Sequence, residues 1–473
     1  MAISLPILDQ TAPQLELPAA GDSAKGKYAF VSLGCPKNLV DSERMLGLLQ
    51  SDGYQLVQDP DKSDFVVINT CGFIDSAREE SMASIDQMLE LKRTGKIKGV
   101  IVTGCLAERQ REKLLEARPE IDGLVGVFGR EEITTIVDRF LSGLEEQRSI
   151  FKPAPIRALP DTNRLQVTPQ HFAYLKISEG CDRLCTFCAI PKMRGKHASK
   201  PMESVIEEAK QLADNGVREL VIVAQDTTFY HIDIDGKPRL AELLEKLNEI
   251  EGLDWIRLMY FYPMYIDQNL VDTMAGAQRI LPYVDIPLQH INNTMLKRMS
   301  RRVNRESTME LLHLLRDGIP DLAIRTTFIA GFPGETQDHV DELAQFITEM
   351  KFQRAGVFTY SLEPDTPAAR LGDHLPDNVK AARRDQLMAA QQANAFAWCE
   401  SQIGKSLDVI LDKPVEGQSN VWVGRSYADA PDVDGVVFVT GTEHQLKTGQ
   451  IVESEIVMSK EYDLVGVAVG DPR

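Results

Sequence analysis

The stretch EGCDRLCTFCAIP, Glu179 to Pro191, sets Cys181, Cys185 and Cys188 in a C-x-x-x-C-x-x-C spacing. Thiolates this close on one loop wrap a single cluster, yet a 4Fe–4S cube takes four ligands and only three stand here. Either one iron stays open to a small molecule, or a distant His or Cys completes a structural zinc site. Structural zinc more often gathers its ligands in paired short spacings, so the open iron is the better reading. The β-rich run HFAYLKI just upstream puts Cys181 beyond the end of a strand, where the loops of parallel α/β barrels build their sites.

Outward from this loop, HFAYLKI is the first of six strand candidates, followed by VRELVIVA, DWIRLMYF, YVDIPL, AIRTTFIA and RAGVFTY. Helical patterns separate them, such as MESVIEEAKQLADNG, which should stop at Asn215–Gly216. Six βα units without a seventh or eighth predict an open, partial (β/α)6 barrel over residues 171–402, closed by a long helix from about Asn378 to Ser401. From 403 to 473 the character changes. LDVILD, NVWVG, GVVFVTG and ESEIVMS are short strands between turn-rich pieces, predicting a small antiparallel β-barrel.

Upstream, residues 27–149 alternate β-rich runs (KYAFVSL, DFVVINT, KGVIVTG) with amphipathic helices, which argues for a small parallel α/β sheet. The helix DSAREESMASIDQMLELKRTG is predicted to open on a capping box at Ser76 and Glu79. Residues 150–170 read as a linker, since FKPAPIRALPDTNRLQVTPQ carries four prolines and no periodicity, and residues 1–26 read as a loose tail. The fold class is therefore α/β with a small β-barrel appended.

Composition excludes several classes. The chain of 473 residues is 43% hydrophobic and 26% charged, as globular proteins are. Its start lacks a basic region followed by an apolar core, and no apolar run reaches the ~20 residues of a membrane helix, so the expected location is cytoplasmic with no membrane partner. With 52 basic and 70 acidic residues, the net charge of −18 suits basic partners better than nucleic acid. Seven cysteines, an odd count, read as metal ligands rather than a disulfide framework.

A second cysteine set is dispersed. Cys35 follows KYAFVSL in LGCPKN, Cys71 follows DFVVINT in NTCGF, and Cys105 follows GVIVTG in TGCLAE, at separations of 36 and 34 residues. Parallel strands bring their C-terminal ends to one sheet edge, so the three would converge there as a second three-thiol set. Taken singly, each cysteine is better explained as a small buried hydrophobe; three in the same strand-end setting are not. Cys399, in AFAWCES, has no partner in the pattern and reads as packing.

EGCDRLCTFCAIP resembles the cluster loop of the radical S-adenosylmethionine (SAM) superfamily, and the LGCPKN, NTCGF and TGC series with the trailing β-domain narrows the resemblance to the methylthiotransferases. That resemblance covers the chain from Lys27 onward. It implies an N-terminal cluster domain, a radical-SAM barrel and a TRAM barrel, with two 4Fe–4S clusters and SAM as cofactors. Cys181, Cys185 and Cys188 would leave an iron open to chelate SAM, whose reductive cleavage yields a 5′-deoxyadenosyl radical. Cys35, Cys71 and Cys105 would hold the auxiliary cluster that carries the sulfur, and a second SAM would methylate it. Phe187 would pack near the cofactor, while Gln225 with its neighbour Asp226, and Gly331 in the turn AGFPGET, would approach SAM. On geometry alone AGFPGET is equally an ordinary strand–helix turn, and Gln225 and Asp226 ordinary strand-end polars.

The family divides between enzymes acting on tRNA adenosines and enzymes acting on an aspartate β-carbon of ribosomal protein twelve of the small subunit. From Glu400 to Arg473 there are thirteen acidic residues against six basic, where a tRNA-gripping barrel should be basic. RSYADAPDVDG (Arg425–Gly435) and IPLQH (Ile286–His290) resemble the ribosomal-protein branch, although His290 taken alone is equally a satisfied structural histidine. The expected partners are thus a basic ribosomal protein, an electron donor such as flavodoxin or ferredoxin, and a sulfur donor, with tRNA as the alternative substrate. The basic run KRMSRRVNR (Lys297–Arg305) reads as a solvated helix face rather than an RNA contact.

Overall fold

The computed structural model describes residues 25–144, 147–441 and 446–473, so all but the end of the expected tail lies outside the described residues. The chain forms two compact units: one of residues up to 168 with 174–183 and 188–208, the other of 169–173, 184–187 and 209–473.

The first unit is built on six parallel strands: β1 (Gly26–Ser32), β2 (Tyr54–Leu56), β3 (Phe65–Thr70), β4 (Gly99–Gly104), β5 (Gly123–Val125) and β6 (Ser149–Ile150), in the order β2-β1-β3-β4-β5-β6. Strand periodicity sends alternate side chains to opposite faces, and both faces are apolar. Val66 and Ile68 of β3 pack with Ile85, Met88 and Leu89 of helix α2 (Asp75–Arg93). Phe65 and Val67 turn the other way, onto Met45, Leu46 and Leu49 of helix α1 (Pro36–Ser51). After β1 the chain runs to one side of the sheet and then to the other, so a switch point opens between β1 and β3 at their C-terminal ends.

The predicted capping box of α2 does not form. The helix starts at Asp75 after an Ile74 cap with no side-chain hydrogen bond, which leaves Ser76 inside the first turn; Asp75 there pairs with Arg78 at 2.6 Å. The proline-rich stretch 151–170 has no long regular element, yet it is pinned to the first unit. Leu165 N donates to Glu43 O at 3.0 Å, and Arg44 Nη1 to Thr162 O at 2.7 Å.

Strand β7 (Phe172–Lys176) is divided between the units. In the first unit the chain continues into β8 (Ser178–Glu179), which pairs antiparallel with β9 (Ala198–Ser199) and closes the base of the cysteine loop. This two-residue ribbon is too short to leave a sequence pattern.

The second unit holds β10 (Glu219–Val223), β11 (Trp255–Leu258), β12 (Ile280–Asp285), β13 (Ala323–Ala330) and β14 (Arg354–Thr359), with β7 at the edge beside β10. The pairings from β10 to β14 are all parallel, and the six strands match the six predicted runs. The helix before β10 ends at Asp214, and Gly216 follows at φ +94°, a conformation that glycine adopts without strain. A helix from Asp377 to Glu400 leads into a closed barrel of β15 (Ser406–Pro414), β16 (Val421–Arg425), β17 (Val437–Thr440), β18 (Ile451–Lys460) and β19 (Asp463–Ala468). β19 is a fifth strand beyond the four predicted, and it pairs parallel with β17. Cys399 packs in the core of this barrel.

The acidic loop after β16 has a different role from the one its charge suggested. Asp434 accepts from Tyr283 Oη at 2.7 Å and Arg325 Nε at 3.3 Å, and Asp429 pairs with Arg354. Arg425 bonds both Glu219 and Asp412, and Arg257 donates to Glu219 at 2.7 Å and to the carbonyls of Ser426 and Tyr427. These carboxylates neutralise arginines carried by the barrel strands, so three of the thirteen acids counted in this segment (Asp412, Asp429 and Asp434) are spent on holding it in place. They are not a surface for a basic partner.

Candidate functional site: two cysteine sets

Each dispersed cysteine closes a central strand of the first sheet. Cys35 is the N-cap of α1 just past β1, Cys71 follows β3 directly, and Cys105 opens a short helix directly after β4. Because β1, β3 and β4 are neighbours and parallel, their C-terminal ends bring the three together as expected. Two glycines show how closely the loops approach. Gly34 has φ +100°, and a Cβ there would stand 3.2 Å from Cys71 Sγ. A Cβ at Gly72 would meet the Cys105 carbonyl carbon at 2.9 Å.

Asn38, three residues after Cys35 in LGCPKN, ties these loops. Its side-chain NH2 donates to Leu33 O at 2.6 Å, ahead of Cys35, and to Thr70 O at 3.5 Å, ahead of Cys71. Its backbone carbonyl takes Asn69 Nδ2 at 2.9 Å, and Thr70 Oγ1 reaches across to Thr103 O. Ser81 of α2 brackets Cys71, accepting from its N–H at 3.0 Å and donating to its carbonyl at 2.9 Å.

Burial pushes the Cys71 thiol up to about 12, and the neighbouring Cys105 and Cys35 push in the same direction. Burial also raises Cys105, opposed by Arg194, whose Nε lies 3.3 Å from its sulfur. Thiols that repel one another's ionisation in a buried pocket are a donor set that a soft metal centre takes as thiolates. Among the described residues no three His, Cys, Asp or Glu side chains close around a single metal-ion position.

Beneath this site lies a buried ion network. Asp41 binds Arg130, Lys176 and Arg194; Asp161 binds Arg130 at 2.6 Å and Lys200 at 2.6 Å; Lys200 also binds Glu208 at 2.6 Å. Burial works to raise the Asp161 carboxyl, but the surrounding Arg130, Lys176 and Lys200 outweigh it and hold the group ionised. Glu179 is likewise held low against its burial by Arg194 and Lys176. Sequence reasoning missed Asn38, Arg194 and Asp161. Their partners lie far along the chain, as with Asp41 and Arg194 at a separation of 153, and only the fold brings them together.

The clustered cysteines share one loop. Cys181 N donates to Gly195 O at 3.1 Å, and its sulfur accepts from Arg183 N at 3.4 Å. In the second unit, Arg301 Nη1 approaches Cys185 Sγ at 3.7 Å while its guanidinium stacks 4.1 Å from the Tyr262 ring. Thr186 is fixed there by Met299 O at 3.0 Å and Arg298 O at 2.9 Å. Phe187 packs onto a cluster of Met295, Met299, Phe332 and Tyr360. Gln225 and Asp226 follow the end of β10, and Asp226 accepts from Thr228 at 2.7 Å. Gly331 follows β13; its N–H goes to Glu335 at 2.9 Å, and a Cβ there would strike Lys380 at 2.4 Å. Packing inside the fold thus accounts for its glycine. His290 is fully buried; its Nδ1 accepts from the N–H groups of Ile291 at 2.9 Å and Asn292 at 3.0 Å, and its Nε2 lies 3.7 Å from Glu335.

Three family models match consecutive parts of the chain. Residues 27–126 match the Uncharacterized protein family UPF0004, residues 175–347 the Radical SAM superfamily and residues 403–469 the TRAM domain. The curated "Ribosomal protein uS12 methylthiotransferase RimO" of Lachnoclostridium phytofermentans is 47% identical over 443 residues, covering 93% of this chain and 100% of the relative. The protein of that description from Clostridioides difficile is 45% identical over 442 residues, covering 93% and 98%. Among solved structures, the radical S-adenosylmethionine methyltransferase TsrM from Kitasatospora setae, with cobalamin and a 4Fe–4S cluster bound, superposes with a TM-score of 0.52 at 15% identity, covering 73% of this chain and 77% of that one. That likeness is one of fold.

Proposed function

This chain belongs to the ribosomal protein uS12 methylthiotransferase family, and on that footing we propose that it methylthiolates an aspartate β-carbon of uS12 with its six loop cysteines as cluster ligands. It is a radical SAM transferase. Relatives at 41–47% identity carry the uS12 description over more than nine-tenths of this chain, which sets the tRNA reading aside.

Cys181, Cys185 and Cys188 hold the cluster that binds SAM, and Cys35, Cys71 and Cys105 hold the auxiliary cluster. When bound, these groups supply what no side chain can: homolytic chemistry at an unactivated C–H bond, together with a sulfur and a methyl donor. The protein's own residues orient and exclude. Asn38 and Ser81 fix the loops that present Cys35 and Cys71, and Arg301 fixes Cys185. Phe187 offers an apolar wall to SAM, and Gln225 and the backbone after Gly331 offer polar contacts. The observation that carries the reading is the closure of three adjacent parallel strands by Cys35, Cys71 and Cys105, in a chain that also holds the Cys181 loop.

The corresponding domains are 27–149, 171–402 and 403–473. Its work on a ribosomal protein places it in the cytoplasm; among the described residues no helix is long and apolar enough to cross a membrane. A flavodoxin or ferredoxin supplies electrons, and a separate donor renews the sulfur.

A competition assay tests the reading. Anaerobically reconstituted protein is given reductant, sulfide and SAM together with both uS12 and unfractionated tRNA, and both products go to mass spectrometry. A methylthio gain on one aspartate-containing peptide, with unchanged nucleosides, is expected. Methylthio-adenosine in the tRNA digest overturns the substrate, and loss of activity in Cys71→Ala and Cys185→Ala alike is required of two working clusters.

A further inference from the structure

Arg194 differs from the other cations of the first unit's ion network because one of its donors is aimed at sulfur. Its side chain is 1% exposed. Nε points to Cys105 Sγ at 3.3 Å, and Nη1 meets both Glu179 oxygens at 2.9 and 3.0 Å. Nη2 meets Asn38 Oδ1 at 3.1 Å and Asp41 Oδ2 at 2.9 Å. Four oxygens from three side chains lock the planar fork, so its orientation toward Cys105 is built in rather than induced. Those partners are themselves restrained: Lys176 holds both Asp41 and Glu179, and Asn38 spans the loops of Cys35 and Cys71. An arginine needed only for charge balance would find it in the two carboxylates. The N–H to sulfur is additional.

Resting on the assignment of Cys35, Cys71 and Cys105 to an auxiliary cluster, we propose that Arg194 is a positioning residue that sets the reduction potential of that cluster through Cys105. A donor to a ligating thiolate draws electron density from the iron–sulfur bond, and a buried guanidinium favours the more negative, reduced state. Both effects raise the potential. Water competes weakly for this site, so the fixed charge acts across a low local dielectric.

The test uses the full chain with Cys181, Cys185 and Cys188 all changed to Ala, reconstituted with iron and sulfide. Redox titration followed by electron paramagnetic resonance then reads the auxiliary cluster alone. On this background Arg194→Gln is expected to keep the cluster's iron and lower the reduction equilibrium by tenfold or more, about 59 mV for a one-electron couple. Arg194→Lys, which keeps the charge but loses the aimed fork, is expected to fall between. Loaded variants that titrate at the parent's potential overturn the proposal while the cluster assignment stands. If the Gln variant fails to load, the Lys variant decides alone, a lowered potential supporting and an unchanged one refuting. A background protein that binds no iron refutes the cluster assignment, and this inference with it.

Discussion

At the scale of single residues, the dispersed site depends on atoms that carry no chemistry. Gly34 holds φ +100° with Cys71 against it, so Gly34→Ala both strains the backbone and crowds the sulfur. The expected outcome is a fold that survives, losing about 1–3 kcal/mol, with iron loading of the Cys35 site sharply reduced; iron and sulfide analysis of a Cys181→Ala, Cys185→Ala, Cys188→Ala background checks it. Loading equal to the background's would refute the close approach as a constraint on the cluster. The cysteines themselves were legible, because strand, cysteine and parallel topology together predict convergence. Asn38 and Arg194 were not. An asparagine in LGCPKN and an arginine in PKMRG look like ordinary polar residues until the fold sets Leu33, Thr70 and Cys105 around them. Ser76 failed in the opposite sense: its spacing to Glu79 imitates a capping box, but the helix starts two residues too early for it.

At the scale of elements, long periodic segments were readable and short ones were not. The six barrel strands and the Asp377–Glu400 helix follow their patterns, whereas β8 and β9, at two residues each, have no periodicity to detect. The stretch 151–170 shows the cost of reading composition alone, since its prolines conceal a buried carboxylate. Asp161 is fully buried between Arg130 at 2.6 Å and Lys200 at 2.6 Å, with Lys176 at 3.9 Å. Removing it takes one carboxylate from each of three buried cations, leaving Asp41 to Arg130 and Lys176 and Glu208 to Lys200. Asp161→Ala is therefore expected to cost about 3–5 kcal/mol in a urea titration of the metal-free protein. A change below about 1 kcal/mol, the scale of an exposed pair, would show that the stretch is a tether after all.

At the largest scale, the second unit is held together by charge pairs that join the small barrel to the strands of the large sheet. Glu219 stands between Arg257 and Arg425, and Asp412 between Arg425 and His171. Burial acts to raise both carboxyls, but the arginines prevail: Glu219 is lowered, and Asp412 is brought down to about 2. A carboxyl depressed in the folded state stabilises fully above its unfolded pKa, about 4, and that contribution drains away as the pH falls towards 2. Glu219→Gln should accordingly lower the melting temperature strongly at pH 7, with the gap to the parent narrowing as both are acidified. A gap independent of pH would mean that shape rather than charge fastens the two parts. This bookkeeping also explains why net charge was a crude guide to the substrate. Asp429 and Asp434 sit in a loop that looks acidic on paper, yet their charges are cancelled by Arg354 and Arg325.

The two apolar faces of the first sheet carry a consequence for how the protein matures. Phe65 and Val67 on one side, Val66 and Ile68 on the other, are covered completely by helices without help from any cysteine, and Asn38 has already drawn two of the three loops into place. Such a site is a finished berth rather than a fold waiting for metal to knit it. With Cys35, Cys71 and Cys105 as cluster ligands, loading is expected to follow folding, and a chelator that strips the iron is expected to leave the circular dichroism of the host unchanged.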